Sequence, residues 1–215
     1  MRSVSEEPVP LHEEFIYCCG AATHVLKCGP WKDLSKDESK NLPRLLFMII
    51  PGKDTDIKEL EDVFGLNGQV EHKLNFLKKN VSKDIKLVLI AHSIGCYITL
   101  EMMKRASELQ NCCVLTLLHV SFSTANILYM ASQEMMKVVE RDSTTIKQNL
   151  KKLIFYYGTG DSWCPQHYYD EIKMDFPDGD IRLCEKGLRH AFVLDASKEM
   201  AAMITDWLQD DLTKL

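Results

Sequence analysis

Three residues of this chain have types and spacing that suit chemistry: Ser93, Asp161 and His190, each beyond an apolar run. Ser93 lies in Ala91-His92-Ser93-Ile94-Gly95. The run before it, Lys86–Ile90, is short, apolar and rich in β-formers, as in a strand buried on both faces. In the stretch after it, Cys96, Leu100 and Met103 recur at i, i+4, i+7, one face of a helix, with Glu101, Lys104 and Arg105 on the other side. A serine between small residues on a strand-to-helix turn is a nucleophile elbow, here with Ala91 in the place of its first glycine and Gly95 in the place of its second. The turn is too sharp for bulky neighbours. It lifts the hydroxyl clear at the positive end of a helix, where backbone N–H groups can receive an oxyanion. The plainer alternative is that Ser93 only caps the helix beginning at Ile94.

A serine hydroxyl becomes a nucleophile when a base takes its proton and a third group orients that base. On α/β-hydrolase sheets the three follow in the order Ser, Asp or Glu, His, on loops beyond the carboxyl ends of strands. His167 and His190 come late enough. His167 falls in the helix directly after the Asp161 loop, too local for a base shared between loops, whereas His190 falls between the last strand and the last helix. Asp161 closes Gly158-Thr159-Gly160-Asp161 after an apolar strand. Asp180 opens its own strand and Asp195 follows the histidine, so both fit the acid's place less well. An aspartate that only forms the turn is the plainer reading of Asp161. His92 flanks the serine, His12, His24, His72 and His119 read as structural or exposed, and Met130, Met135 and Met136 as core.

The elements that must position these residues follow from periodicity and breakers. Phe15–Cys19 and Thr23–Cys28 read as a β-hairpin about Gly20-Ala21-Ala22, after a ragged lead-in over residues 1–12. Gly29-Pro30 ends it, and Trp31–Pro43 is a polar loop. Arg44–Ile50 is a buried strand stopped by Pro51-Gly52. Helices are expected at Asp56–Phe64 and Gln69–Lys79. The elbow strand and helix follow, then a strand at Cys112–Val120, a loop at Ser121–Thr124, and helices at Asn126–Val139 and Thr144–Lys151. Strands at Lys152–Tyr157 and Asp180–Cys184 flank a helix at Gln166–Met174, and Ser197–Leu208 is the last helix. Strands alternating with helices imply an α/β fold, a mostly parallel sheet with helices on both faces.

With 215 residues, 46% apolar and 27% charged, the chain suits a single domain over 1–215 with a sizeable core. A net charge of −5 without a Lys/Arg cluster speaks against nucleic-acid binding. Eight cysteines include two adjacent pairs and no C-x-x-C spacing, so no metal site is expected and a reducing compartment is. The acidic start MRSVSEEPVPLHEEF has no apolar signal core, and no run approaches the ~20 apolar residues of a membrane-spanning helix. No G-x-G-x-x-G follows the first parallel strand, so no dinucleotide cofactor is expected, nor any other.

Taken together, these residues resemble the lipid droplet-associated hydrolases of the α/β-hydrolase superfamily. The resemblance is carried by EEFIYCCGAATHVLKCGPW, RLLFMIIPG, FGLNGQVEHKLNFLKKNV, KLVLIAHSIGCYITLEMMKR, SQEMMKVVERDSTTIKQNLKKLIFYYGTGDSWCP and DFPDGDIRLCEKGLRHAFV. It implies Ser93 as nucleophile, Asp161 as acid and His190 as base. One oxyanion donor is then the N–H of Ile94, and the other comes from the loop after the third strand, at Gly52 or Lys53. It also implies a serine ester hydrolase acting on lipid esters of the cholesteryl-ester (cholesterol esterase) type. Its place is the cytosolic face of lipid droplets and endoplasmic reticulum, in lipid storage or turnover.

Against that family the chain is shortened twice. Between Lys53 and Gly65 there is room for one short helix where the family has a longer loop, a helix and a further strand. Between Val120 and Ser132 the family's apolar cap is reduced to SFSTANILYMAS. The expected fold is thus an α/β-hydrolase lacking one strand–helix unit and the cap, with a cytosolic location if targeting needs the cap. The alternative function is a catalytically impaired, hydrolase-like binding module or shortened isoform.

Overall fold

The computed structural model describes residues 9–29, 45–50, 65–106, 109, 113–116, 141–159, 164 and 166–212, with backbone alone at 113–116 and 210–212. The sequence-expected helices at Asp56–Phe64 and Asn126–Val139, and the Ser121–Thr124 loop, lie outside these residues.

Strand β4 (Lys86–Ala91) is the middle of a parallel trio with β3 (Leu45–Ile50) and β5 (Cys113–Thr116). The register runs from Leu45↔Lys86 to Ile50↔Ala91 on one side and from Val88↔Cys113 to Ala91↔Thr116 on the other. A second parallel pair joins β6 (Ile154–Gly158) to β7 (Asp180–Cys184), and β5 lies beside β6. Each of these strands ends at the edge where the site residues were expected.

Period-two alternation in these strands divides the core into two layers. On one face Leu89 and Phe155, both fully buried, pack with Val70 and Leu74 of α1 (Leu66–Asn80), Cys96, Met102 and Met103 of α2 (Ile94–Arg105), and Ile146 of α3 (Ser143–Asn149). Ile172 of α4 (Gln166–Asp175) closes this layer. On the other face Val88 and Tyr156 meet Phe192 of α5 (Phe192–Asp195) and Met200, Ile204 and Leu208 of α6 (Ser197–Leu212). Helices therefore cover both faces of a parallel sheet, as the alternation of elements requires. Among the described residues no helix is long and apolar enough to cross a membrane.

Several boundaries differ from the sequence expectation. Strands β1 (Leu11–Cys18) and β2 (Ala21–Cys28) pair over their whole length, so Leu11 and His12 belong to the hairpin. Its loop is the two residues Cys19-Gly20, with φ of 52° and 84°. Positive φ at both central positions is the type I′ turn, whose twist matches the strands. The helix expected at Thr144–Lys151 is α3 followed by a 3-10 turn at Leu150–Lys152, which starts β6 two residues later. On α2 the buried stripe is wider than Cys96 and Met103, adding Ile98, Thr99 and Met102, while Leu100 is half-buried. Glu101 is also largely covered, because Arg105 folds back onto it and onto Glu71 and Asn67 of α1.

The sheet itself is divided. Among the described residues the hairpin pairs with no other strand, and the β3–β4–β5 and β6–β7 groups are separate ladders. The hairpin is instead held to α1, through Thr23 Oγ1 and His72 Nε2 at 2.7 Å and Cys18 Sγ against the His72 carbonyl at 3.8 Å. At the outer edge of the trio, β3 leaves Phe47 and Ile49 exposed.

Candidate active site

Strand β4 ends at Ala91, fully buried between Ile50 and Thr116. Two residues later Ser93 takes φ 60°, ψ −133°. This is a positive-φ conformation that a side chain with a Cβ enters only at a cost of about 1–3 kcal/mol, so the surroundings must impose it. They do so by hydrogen bonds on either side. The His92 N–H donates to the Ile50 carbonyl at 3.2 Å, the Gly95 N–H to the His92 carbonyl at 3.0 Å, and the Cys96 N–H to the Ser93 carbonyl at 2.9 Å. Inside the first turn of α2, Cys96 Sγ reaches back to the Ala91 carbonyl at 3.4 Å and Thr99 Oγ1 donates to the Gly95 carbonyl at 2.8 Å.

Ser93 is buried and makes no side-chain cap to the helix, and its φ lies outside the extended region of an ordinary N-cap. The capping alternative therefore fails, and the geometry is that of an elbow. Gly95 is required by space: a Cβ there would stand 2.4 Å from the Ile50 carbonyl oxygen. The last carbonyl of β3 and the start of α2 are thus in contact, which fixes the elbow against the neighbouring strand. Ile94 is the first residue of α2, so its N–H has no intrahelical acceptor by construction.

His190 follows β7 and is buried at 6% exposure. Its ring lies 4.9 Å from that of His92, tilted by 41°, and His92 in turn meets Phe192 edge-on at 4.7 Å. His92 Nε2 lies 3.0 Å from the His190 carbonyl oxygen. The fold therefore brings the histidine loop onto the residue preceding the serine. His167, the other late histidine, is exposed and lies against Tyr168 with the rings tilted by 49°.

Asp161, Gly52 and Lys53 lie outside the described residues. What is described is where their strands end. Gly158 of β6 pairs with Cys184 of β7, and Thr159 Oγ1 donates to the Cys184 carbonyl at 2.9 Å. The chain segments leading to Asp161 and to His190 consequently leave the sheet side by side. Ile50, two residues before Gly52, touches the elbow directly. Beneath the site, burial pushes the Tyr157 phenol far above its ordinary value, a push that the buried Cys164 beside it reinforces. That tyrosine stays neutral and packs as an aromatic.

Sequence reasoning noted only that His92 flanks the serine; it is half-buried and joins elbow to histidine loop. The only signal available was its position next to the serine.

Two stretches of the chain, residues 46–120 and 115–193, match the family described as lipid-droplet associated hydrolase. The chain is 62% identical to the lipid droplet-associated hydrolase of Gallus gallus over 324 aligned positions, and 38% identical to that of Homo sapiens over 325, with 100% of each chain covered in both cases. Since this chain has 215 residues, about a third of those positions face no residue in it. The two family matches meet at 115–120, beside the stretch where the resemblance places the reduced cap. Among solved structures, one described as a predicted CIB-like hydrolase from Thermoplasma acidophilum superposes with a TM-score of 0.62 at 13% identity, covering 94% of this chain and 99% of that one. That last likeness is one of fold.

Proposed function

Because the chain belongs to the lipid-droplet associated hydrolase family and has an α/β-hydrolase fold, we propose that it is a serine hydrolase of lipid esters working through Ser93. The observation that carries this reading is the backbone of Ser93, held at φ 60° with its side chain excused from capping. Strain of that kind persists where it serves a function.

In the proposed mechanism Ser93 Oγ attacks the ester carbonyl while His190 takes its proton, and Asp161 orients the imidazole. The Ile94 N–H receives the oxyanion, with Gly52 or Lys53 as the second donor. His190 then returns the proton to the departing alcohol, and water repeats the sequence on the acyl-enzyme. A single well-placed oxyanion donor is worth about 10²–10³ in rate, so the loop after β3 bears heavily on turnover. The substrate is proposed to be a cholesteryl-ester type lipid, and the place of action the cytosolic face of lipid droplets and endoplasmic reticulum. The whole is proposed to act as one domain.

A second reading is favoured by the third of the family alignment that this chain does not fill: a hydrolase-like module that binds without turning over. Fluorophosphonate labelling of the purified, folded chain separates the two. The hydrolase reading expects labelling that vanishes in Ser93→Ala and His190→Ala. No labelling of wild-type protein with a cooperative thermal transition assigns the chain to the binding module.

A further inference from the structure

His92 does more than flank the serine. Its backbone N–H donates to the end of β3 at the Ile50 carbonyl, and its own carbonyl receives the Gly95 N–H that starts α2. Its side chain reaches across 98 positions of sequence to His190, where Nε2 meets the backbone carbonyl at 3.0 Å. A carbonyl oxygen only accepts, so Nε2 carries the hydrogen and the tautomer is set by this contact. The ring also packs on both the His190 ring and the Phe192 ring, at 4.9 and 4.7 Å. One residue thus ties together the end of a strand, the elbow and the histidine loop.

The loop needs such a tie. Between β7 and α5 the chain passes through Gly187, which has φ 65° and open space around it, and through the exposed Arg189. Backbone outside a ladder gains its position from side-chain anchors, and here these include the buried Leu188, the Arg189–Asp195 ion pair at the surface and the bond from His92 to His190. Resting on the serine-hydrolase reading, we infer that His92 is a positioning residue: its Nε2–H, bonded to the His190 carbonyl, sets the imidazole of His190 relative to Ser93. His92 itself exchanges no proton with substrate. Its effect passes through the place and rotation of the base, where an error near 1 Å can cost about a hundredfold in rate.

The test compares His92→Phe, which keeps a ring and loses the donor, with His92→Gln, whose amide nitrogen takes the place of Nε2. Each is measured for fluorophosphonate labelling rate, for amide hydrogen exchange over residues 188–192, and for Tm. The expected result is a labelling rate about ten- to a hundredfold lower in His92→Phe with faster exchange at 188–192, both largely restored in His92→Gln. Should His92→Phe not fold, His92→Asn replaces it, its shorter amide falling short of the carbonyl. Labelling by His92→Phe at the wild-type rate overturns the inference. So does a His92→Gln protein as slow as His92→Phe at equal Tm. If the wild-type chain does not label at all, the hydrolase reading fails separately. Exchange at 188–192 then decides for His92: equal rates in all three proteins overturn the anchoring, and faster exchange in His92→Phe alone sustains it.

Discussion

Substituting Gly95 by alanine tests how the elbow is built. The added Cβ would stand 2.4 Å from the Ile50 carbonyl oxygen, 3.2 Å from its carbon and 3.3 Å from Ile50 Cγ2. An ordinary contact needs about 3.5 Å, so α2 must rise roughly 1 Å from the end of β3. The obstacle is backbone, which cannot swing aside as a side chain would. Overpacking of this kind costs about 1–3 kcal/mol, against which alanine in a helix gains about 1 kcal/mol over glycine. With a backbone obstacle at 2.4 Å the cost falls in the upper part of that range, about 2–3 kcal/mol, so the clash wins with a net loss of about 1–2 kcal/mol, or roughly 2–8 °C in Tm for a chain of this size. Circular dichroism melting reads the loss directly. The same Ile50 carbonyl accepts the His92 N–H, so the lift also moves the serine, and fluorophosphonate labelling is expected to slow by more than the stability change explains. A Gly95→Ala protein that melts at or above the wild-type temperature would refute the contact between α2 and β3 on which the site has been built.

Other substitutions probe the surroundings. Gly187→Ala is expected to cost about 1 kcal/mol through its φ of 65° alone, since no atom lies within 4 Å, and Gly187→Asn to cost less; thermal melting checks the order. Asp142 is pushed up by burial but held lower overall by the N–H and hydroxyl of Thr145 and the Lys104 ammonium. Its capping of α3, worth about 1 kcal/mol, is therefore present at neutral pH and lost as pH falls below about 4. The Tm gap between wild type and Asp142→Ala should shrink there. Phe155→Ala, at the centre of the larger core layer, is expected to cost about 3–5 kcal/mol in urea unfolding, which would leave little of a typical domain's stability.

Much of this architecture could be read in advance where local rules and tertiary demand agree. KLVLIA and IFYYG are apolar enough to be buried on both faces, and both are strands in parallel ladders. The small residues about Ser93 announced a turn, and the structure adds the reason for Gly95, a carbonyl from another strand, which no neighbour in sequence could reveal. The hairpin turn falls at Cys19-Gly20 and not Gly20-Ala21-Ala22 because Cys19 accepts positive φ beside Gly20, a choice favoured by strand twist over residue preference. The division into three ladders was foreseen only as a gap, since pairing between distant segments leaves no local trace. The tie from His92 to His190 went unforeseen for the same cause: the partner is a backbone carbonyl, which has no residue type to recognise.

The separate hairpin has a thermodynamic consequence. A two-stranded ribbon is marginal alone, and this one leans on α1 through Thr23, Cys18 and His72, while its outer face carries Leu11, Phe15, Tyr17 and Leu26 exposed. The ladders around β4 share two core layers and melt as a unit, whereas the ribbon contributes little enthalpy to them. Unfolding of this chain is therefore expected to depart from all-or-none. Its calorimetric enthalpy should exceed the van't Hoff value, with an early, shallow step belonging to residues 11–28.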